Sequence, residues 1–111
     1  MSHTVVRLNA TLNDSLKTEE LKNTIKTELE NRGYKTNEIA VNDGETMDGD
    51  PRLRVNIDFI KPGEANSFSS YLKKLAEANT EYLESGVVDS HECMHLEGLN
   101  EPCEPVVVWR L

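Results

Sequence analysis

The sequence predicts an α+β fold in which two helices cover one face of an antiparallel sheet. Three segments alternate apolar and polar residues, namely 4–12, 52–60 and 87–97, and this two-residue period is typical of half-buried strands. Two further segments, 18–32 and 67–85, repeat apolar residues every three or four positions, which indicates amphipathic helices. The order of these segments, strand before helix in each half, favours a mixed sheet-and-helix domain.

The first helix follows local rules at both ends. We expect helix 18–32 to begin at Thr18 as its N-cap, because a threonine hydroxyl accepts a hydrogen bond from a free backbone N–H group. An apolar stripe runs from Leu21 to Leu29 at four-residue spacing. Gly33 follows the last turn, where glycine is the favoured residue.

The remaining elements complete a recognisable order. They are a short strand at 38–42, strand 52–60, helix 67–85 capped by Asn66 or Ser67 and ended by Gly86, strand 87–97, and a last strand at 106–109. This order resembles the ferredoxin-like βαββαβ plan with one strand added at the C-terminus. We expect one domain over residues 1–111, a length that suffices for a single hydrophobic core.

The charge of the chain excludes some partners. The chain has 20 acidic and 12 basic residues and a net charge of -8, which argues against direct binding to nucleic acid or to an anionic membrane surface. It has no apolar run of roughly 20 residues and no signal-peptide pattern at its start. We therefore expect a cytoplasmic protein with reduced thiols.

Acidic residues dominate the C-terminal third and carry the leading functional prediction. Residues 75–109 contain no lysine or arginine. If 67–85 is one helix, Glu77, Glu81 and Glu84 share a face, and Asp89 follows on the next strand. This surface predicts a non-catalytic regulator or inhibitor that docks a basic protein partner, rather than an enzyme. The alternative is a solvated face that only keeps a small protein soluble.

A cluster of histidine and cysteine residues predicts an alternative function in metal binding. On a strand, His91, Cys93 and His95 point to one side, and Cys103 can return to them from the next strand. Two imidazoles with one or two thiolates suit zinc or copper. The alternatives are ordinary structural roles for these residues, or a disulfide between the two cysteines if the compartment is oxidising. The sequence carries no phosphate-binding or dinucleotide-binding motif, so we expect no other cofactor.

Two similar segments predict a weaker, third site. The polar residues of Arg7-Leu8-Asn9-Ala10 and Arg54-Val55-Asn56-Ile57 would face away from the helices, on two strands that are neighbours in the ferredoxin-like plan. The side chains of Arg7, Asn9, Arg54 and Asn56 can hold a carboxylate or a phosphate. The alternatives are a polar face wetted by solvent, or a face covered by the last strand or by a second subunit. Separately, the apolar final strand 106–109 predicts a homodimer, through this strand or through the open face, because such a sheet edge must be hidden or paired.

Overall fold

The computed structural model describes residues 2–34, 40–59, 62–94 and 106–111 of the chain. Within these residues the elements are β1 (Ser2–Leu12), α1 (Ser15–Asn31), β2 (Ala40–Glu45), β3 (Pro51–Phe59), α2 (Pro62–Ala78), β4 (Leu83–Met94) and β5 (Val106–Arg110). A short 3₁₀ turn at Thr80–Tyr82 joins α2 to β4. Neither helix of this described part is long and apolar enough to cross a bilayer.

The five strands form one sheet in the order β2-β3-β1-β4-β5, and every neighbouring pair is antiparallel. The central strand β1 pairs with β3 on one side and with β4 on the other. The predicted α+β class, with two helices and an antiparallel sheet, is therefore confirmed.

The hydrophobic core lies between the sheet and the two helices. Alternate residues of β1 and β3 are buried, which matches the two-residue period of their sequences. They pack with Leu21, Ile25 and Leu29 of α1 and with Phe68 and Leu72 of α2 in one cluster. Since inward-facing residues of both strands meet both helices, the helices cover one face of the sheet and leave the other face open.

Helix α1 begins earlier than predicted. Its N-cap is Asp14, whose carboxylate accepts from the backbone N–H groups of Leu16 at 2.9 Å and Lys17 at 3.1 Å. The predicted cap, Thr18, is instead buried in the first turn, where its hydroxyl donates to the Asp14 carbonyl at 2.8 Å. Thr18 is therefore buried on α1 together with Leu21, Ile25 and Leu29.

The end of α1 agrees with the prediction. Gly33 has a φ of +96°, a left-handed conformation that disfavours other residues. Its N–H donates to the carbonyl of Glu30 at 3.0 Å, and the N–H of Tyr34 donates to that of Leu29 at 3.1 Å. These two bonds define a Schellman motif, which satisfies carbonyls at the helix end.

Helix α2 differs most from its predicted bounds of 67–85. It begins at Pro62, which suits the first turn because proline lacks an N–H group, and it ends at Ala78. The side-chain amide of Asn79 donates to the carbonyl of Leu75 at 2.8 Å. Asn13, at the end of β1, bonds to the carbonyls of Glu81 and Tyr82, each at 3.0 Å. The two bonds from Asn13, which is far away in the sequence, hold residues 80–82 in a turn, whereas the apolar pattern predicts that the helix continues there.

The other strand bounds show smaller shifts. The strand predicted at 38–42 is β2 at Ala40–Glu45, and residues 38 and 39 lie outside the described chain. The strand predicted at 87–97 begins earlier, at Leu83, and is described as far as Met94. Strands β3 and β5 lie within one residue of their predicted positions.

Gly86 lies inside β4 and does not end a helix. The ring of Trp109 on β5 occupies the space that a side chain at position 86 would need. A Cβ atom added to Gly86 would lie 2.9 Å from Cζ3 of Trp109 and 3.9 Å from Cβ of Ala10. The indole therefore packs over a strand position without a side chain and covers one end of the core.

Candidate functional site

The two Arg-x-Asn segments meet at the centre of the open face. In the pairing of β1 with β3, Arg7 lies opposite Asn56 and Asn9 lies opposite Arg54. We call these four residues the Arg/Asn quartet. An approximate two-fold axis passes between the paired residues Leu8 and Val55 and relates the two halves of the quartet.

The hydrophobic core fixes the position of the quartet. Leu8 and Val55, which separate the arginine from the asparagine in each segment, are 6% and 1% exposed. Since side chains alternate along a strand, burying these two residues turns their neighbours to the open face. A one-residue slip of either strand would turn its arginine toward the core, so the core specifies the register that assembles the quartet.

A half-open depression of about 330 Å³ lies over the quartet. It is lined by the quartet together with Leu8, Val55 and Asp89. Its size suits a small polar molecule or one end of a larger ligand.

One arginine of the quartet is ion-paired. Nε of Arg7 donates to Oδ1 of Asp89 at 3.0 Å, with side chains that are 40% and 20% exposed respectively. Asp89 lies directly opposite Arg7 in the pairing of β1 with β4. The carboxylate orients the guanidinium and neutralises its charge locally.

The other arginine is not neutralised in this way. The residue opposite Arg54 on β2 is Asn42, which carries no charge. Among the side chains that the structure describes, none forms a hydrogen bond or ion pair with Arg54. The guanidinium of Arg54 is therefore a charged donor group available to a ligand.

Further arginines surround the quartet. Nε of Arg52 donates to Oδ1 of Asn9 at 3.1 Å, which leaves the NH₂ group of Asn9 to donate elsewhere. Arg110 lies opposite Val87, at the far side of the same face. Four of the five arginines in the chain thus belong to the open face, in a protein whose net charge is -8.

The acidic surface predicted on the second helix is not present in that form. Glu77 lies in the last turn of α2, Glu81 in the 3₁₀ turn and Glu84 in β4, so the prediction that they share one helical face is wrong. The cause is the early end of α2 at Ala78. Asp89 belongs to the open face and pairs with Arg7. Docking of a basic protein remains a prediction without its helical basis.

The predicted metal ligands fall largely outside the described part of the chain. His91 is half-buried in β4. Cys93 is in the same strand, and its backbone lies opposite that of His3 of β1. His95 and Cys103 are not among the described residues. Within the described residues there is no group of three or more side chains suited to a metal ion. The metal site and the alternative disulfide therefore remain predictions.

Three residues of the site were not anticipated in these roles. Asp89 was assigned to the acidic surface, and neither Arg52 nor Arg110 was singled out. The sequence signal for Arg52 was its position two residues before Arg54 in an alternating strand, which places both on one face. The pairing of Asp89 with Arg7 had no local signal, because 82 residues separate them.

The chain matches no protein-family model, no curated protein and no solved structure. The geometry and charge of the open face are therefore the features that indicate its function.

Proposed function

We propose that this chain is a non-catalytic binding protein that holds the anionic group of a small ligand in the Arg/Asn quartet. The observation that carries the proposal is Arg54, a charged donor beside a depression without a partner among the described residues. The guanidinium group offers a planar fork of N–H groups that matches a carboxylate or a phosphate.

The remaining donors of the quartet support an anion. Arg7 uses its Nε for Asp89, which leaves its terminal N–H groups for a ligand. Asn9 accepts from Arg52 through its oxygen, which favours donation from its nitrogen toward the depression. The depression thus offers several donors and one carboxylate that is already engaged.

The chemistry of the lining residues favours binding over catalysis. Arginine and asparagine side chains are hydrogen-bond donors rather than general acids or bases, and the carboxylate of Asp89 is engaged in the ion pair with Arg7. Among the described residues, those that line the depression include no serine, cysteine, lysine or histidine that could act as a nucleophile.

A titration followed by two-dimensional NMR tests this function. The side-chain NH₂ signals of Asn9 and Asn56 report directly on the depression. Acetate and sulfate should shift these signals saturably at constant ionic strength, and Arg54→Gln should abolish saturation. Lys73→Gln is the matched control, because it removes the same charge from an exposed position on α2. Failure of both anions to saturate the signals, or unchanged binding by Arg54→Gln, would refute the proposal.

We also propose that the fold is ferredoxin-like with one added edge strand. The first four strands lie in the order β2-β3-β1-β4, with β1 and β3 adjacent at the centre. Each of these two strands is followed by a helix, and both helices pack into one core cluster. This arrangement is the one expected of the split β-α-β plan. Strand β5 extends the sheet beyond β4.

A second proposal concerns self-association at β5. The valines at 106, 107 and 108 are 64%, 47% and 38% exposed on this edge strand, which has neither lysine nor proline. An apolar edge of this kind favours pairing with another strand, and we propose that β5 of a second copy is its partner. Sedimentation velocity at high protein concentration should show a dimer that Val106→Lys dissociates. A monomer at every concentration would refute this proposal.

A further inference from the structure

The two halves of the Arg/Asn quartet differ in charge although they agree in residue type. The approximate two-fold axis relates Arg7 to Arg54, and it relates β4, the outer neighbour of β1, to β2, the outer neighbour of β3. The residue of β4 paired with Arg7 is Asp89, and the residue of β2 paired with Arg54 is Asn42. The depression therefore contains one neutralised arginine and one that is not.

Within the described lining of the depression, one positive charge is uncompensated, that of Arg54. Two other charged residues of β3 lie beyond this lining, Arg52 on one side and Asp58 on the other, and their charges are opposite. Attraction to a site rises in proportion to the charge of the ligand, whereas the cost of removing the ligand from water rises with the square of that charge. A doubly charged anion would also place part of its charge beside the Asp89 carboxylate.

We infer that Asp89 determines the charge preference of the site, so that the quartet selects singly charged carboxylates over doubly charged anions. This inference rests on the proposed function. By holding Arg7 in an ion pair, Asp89 removes the second positive charge that a doubly charged ligand needs. Asp89 is a specificity-determining residue that lines the depression and acts mainly through Arg7.

Three probes separate charge from shape. Methanesulfonate and sulfate are both tetrahedral and present similar oxygens, but they carry one and two negative charges, and acetate represents the carboxylate. Affinities come from the Asn9 and Asn56 amide signals at constant ionic strength. In the unmodified protein, acetate and methanesulfonate should bind more tightly than sulfate.

Asp89→Asn should change this preference. A unit charge at about 8 Å, in a medium with the dielectric constant of water, alters the affinity of a singly charged ligand by about 2.4-fold and that of a doubly charged ligand by about sixfold. Sulfate should therefore gain more than methanesulfonate. Glu77→Gln is the matched control, because it removes the same charge from an exposed site on α2 and should leave both affinities unchanged.

A second variant keeps the inference testable if Asp89→Asn does not fold. Arg7→Gln retains the Asp89 carboxylate and should weaken sulfate more than methanesulfonate. Tighter binding of sulfate than of methanesulfonate by the unmodified protein, or equal effects of a variant on the two probes, would overturn the inference while anion binding stood. If none of the three probes binds, the proposed function fails as well.

Discussion

Gly86→Ala tests the packing of β5 against the core. The new methyl group would lie 2.9 Å from Cζ3 and 3.3 Å from Cη2 of Trp109, which is closer than carbon atoms approach without repulsion. Overpacking of this kind costs about 1–3 kcal/mol. Replacing a glycine also restricts the unfolded chain, which offsets about 0.4–1 kcal/mol of that cost. We expect Gly86→Ala to lower the free energy of unfolding by about 1 kcal/mol.

Urea denaturation followed by circular dichroism measures this change, and Gly44→Ala provides the control. Gly44 lies in β2, and an added Cβ there meets no described atom within 4 Å. Gly44→Ala should be neutral or slightly stabilising. Replacing Trp109 by leucine should reduce the penalty at Gly86, because the shorter side chain leaves room for the methyl group. Equal stability of Gly86→Ala and Gly44→Ala, or a penalty that Trp109→Leu does not reduce, would show that the indole does not limit the space at position 86.

Three further changes test other parts of the structure. Asp14→Ala removes the cap of α1 and should lower the free energy of unfolding by about 1 kcal/mol, whereas Ser15→Ala at the neighbouring exposed position should have little effect. Nζ of Lys22 donates a hydrogen bond to Oδ1 of Asp43 at 2.8 Å. This bond is the main reason, and a backbone hydrogen bond the second, why the pKa of the Asp43 carboxyl lies below its ordinary value of 3.8. The stabilisation from the Asp43 carboxylate is therefore present above pH 3.8 and is lost as the pH falls through the lowered pKa. Asp43→Asn should be slightly less stable than the unmodified protein at neutral pH and equal to it in strong acid. Urea denaturation across this pH range measures the difference. Arg54→Gln should leave the free energy of unfolding, measured by urea denaturation, within about 0.5 kcal/mol of that of the unmodified protein, because an exposed side chain without a described partner contributes little to folding. A large loss of stability would indicate a structural role instead.

The second helix shows why local periodicity misplaced an element boundary. The apolar pattern continues past Ala78 to Tyr82 and Leu83, and these two residues do pack against the core. They reach it from a 3₁₀ turn and a strand, because Asn13 of the first β-α connection bonds to the carbonyls at 81 and 82. The apolar pattern therefore predicted correctly which residues pack against the core, but it predicted the wrong secondary structure for them. Burial alone does not distinguish a helix from a turn that is held by hydrogen bonds to distant residues.

The candidate site was predictable in composition but not in charge. The alternation of Arg7, Asn9, Arg54 and Asn56 with buried residues placed them on one face, and the order of elements made their strands neighbours. The ion pair of Arg7 with Asp89 depends on β4 lying beside β1, and on a register set by burial of Val88 and Leu8. No local pattern reports such a register.

Local sequence patterns were enough to predict the class of fold, the positions of β1, β3 and β5 to within two residues, the C-terminal end of α1 and the four residues of the Arg/Asn quartet. These features depend on alternation, helical period and glycine conformation, which act over a few residues. Three further features depend on the folded arrangement: the end of α2, the lack of space for a side chain at Gly86, and the ion pair that compensates the charge of Arg7 but not that of Arg54. Each of these depends on groups that are far apart in the chain and become neighbours only when the strands pair, so their hydrogen bonds, contacts and charges have no counterpart in a local sequence window.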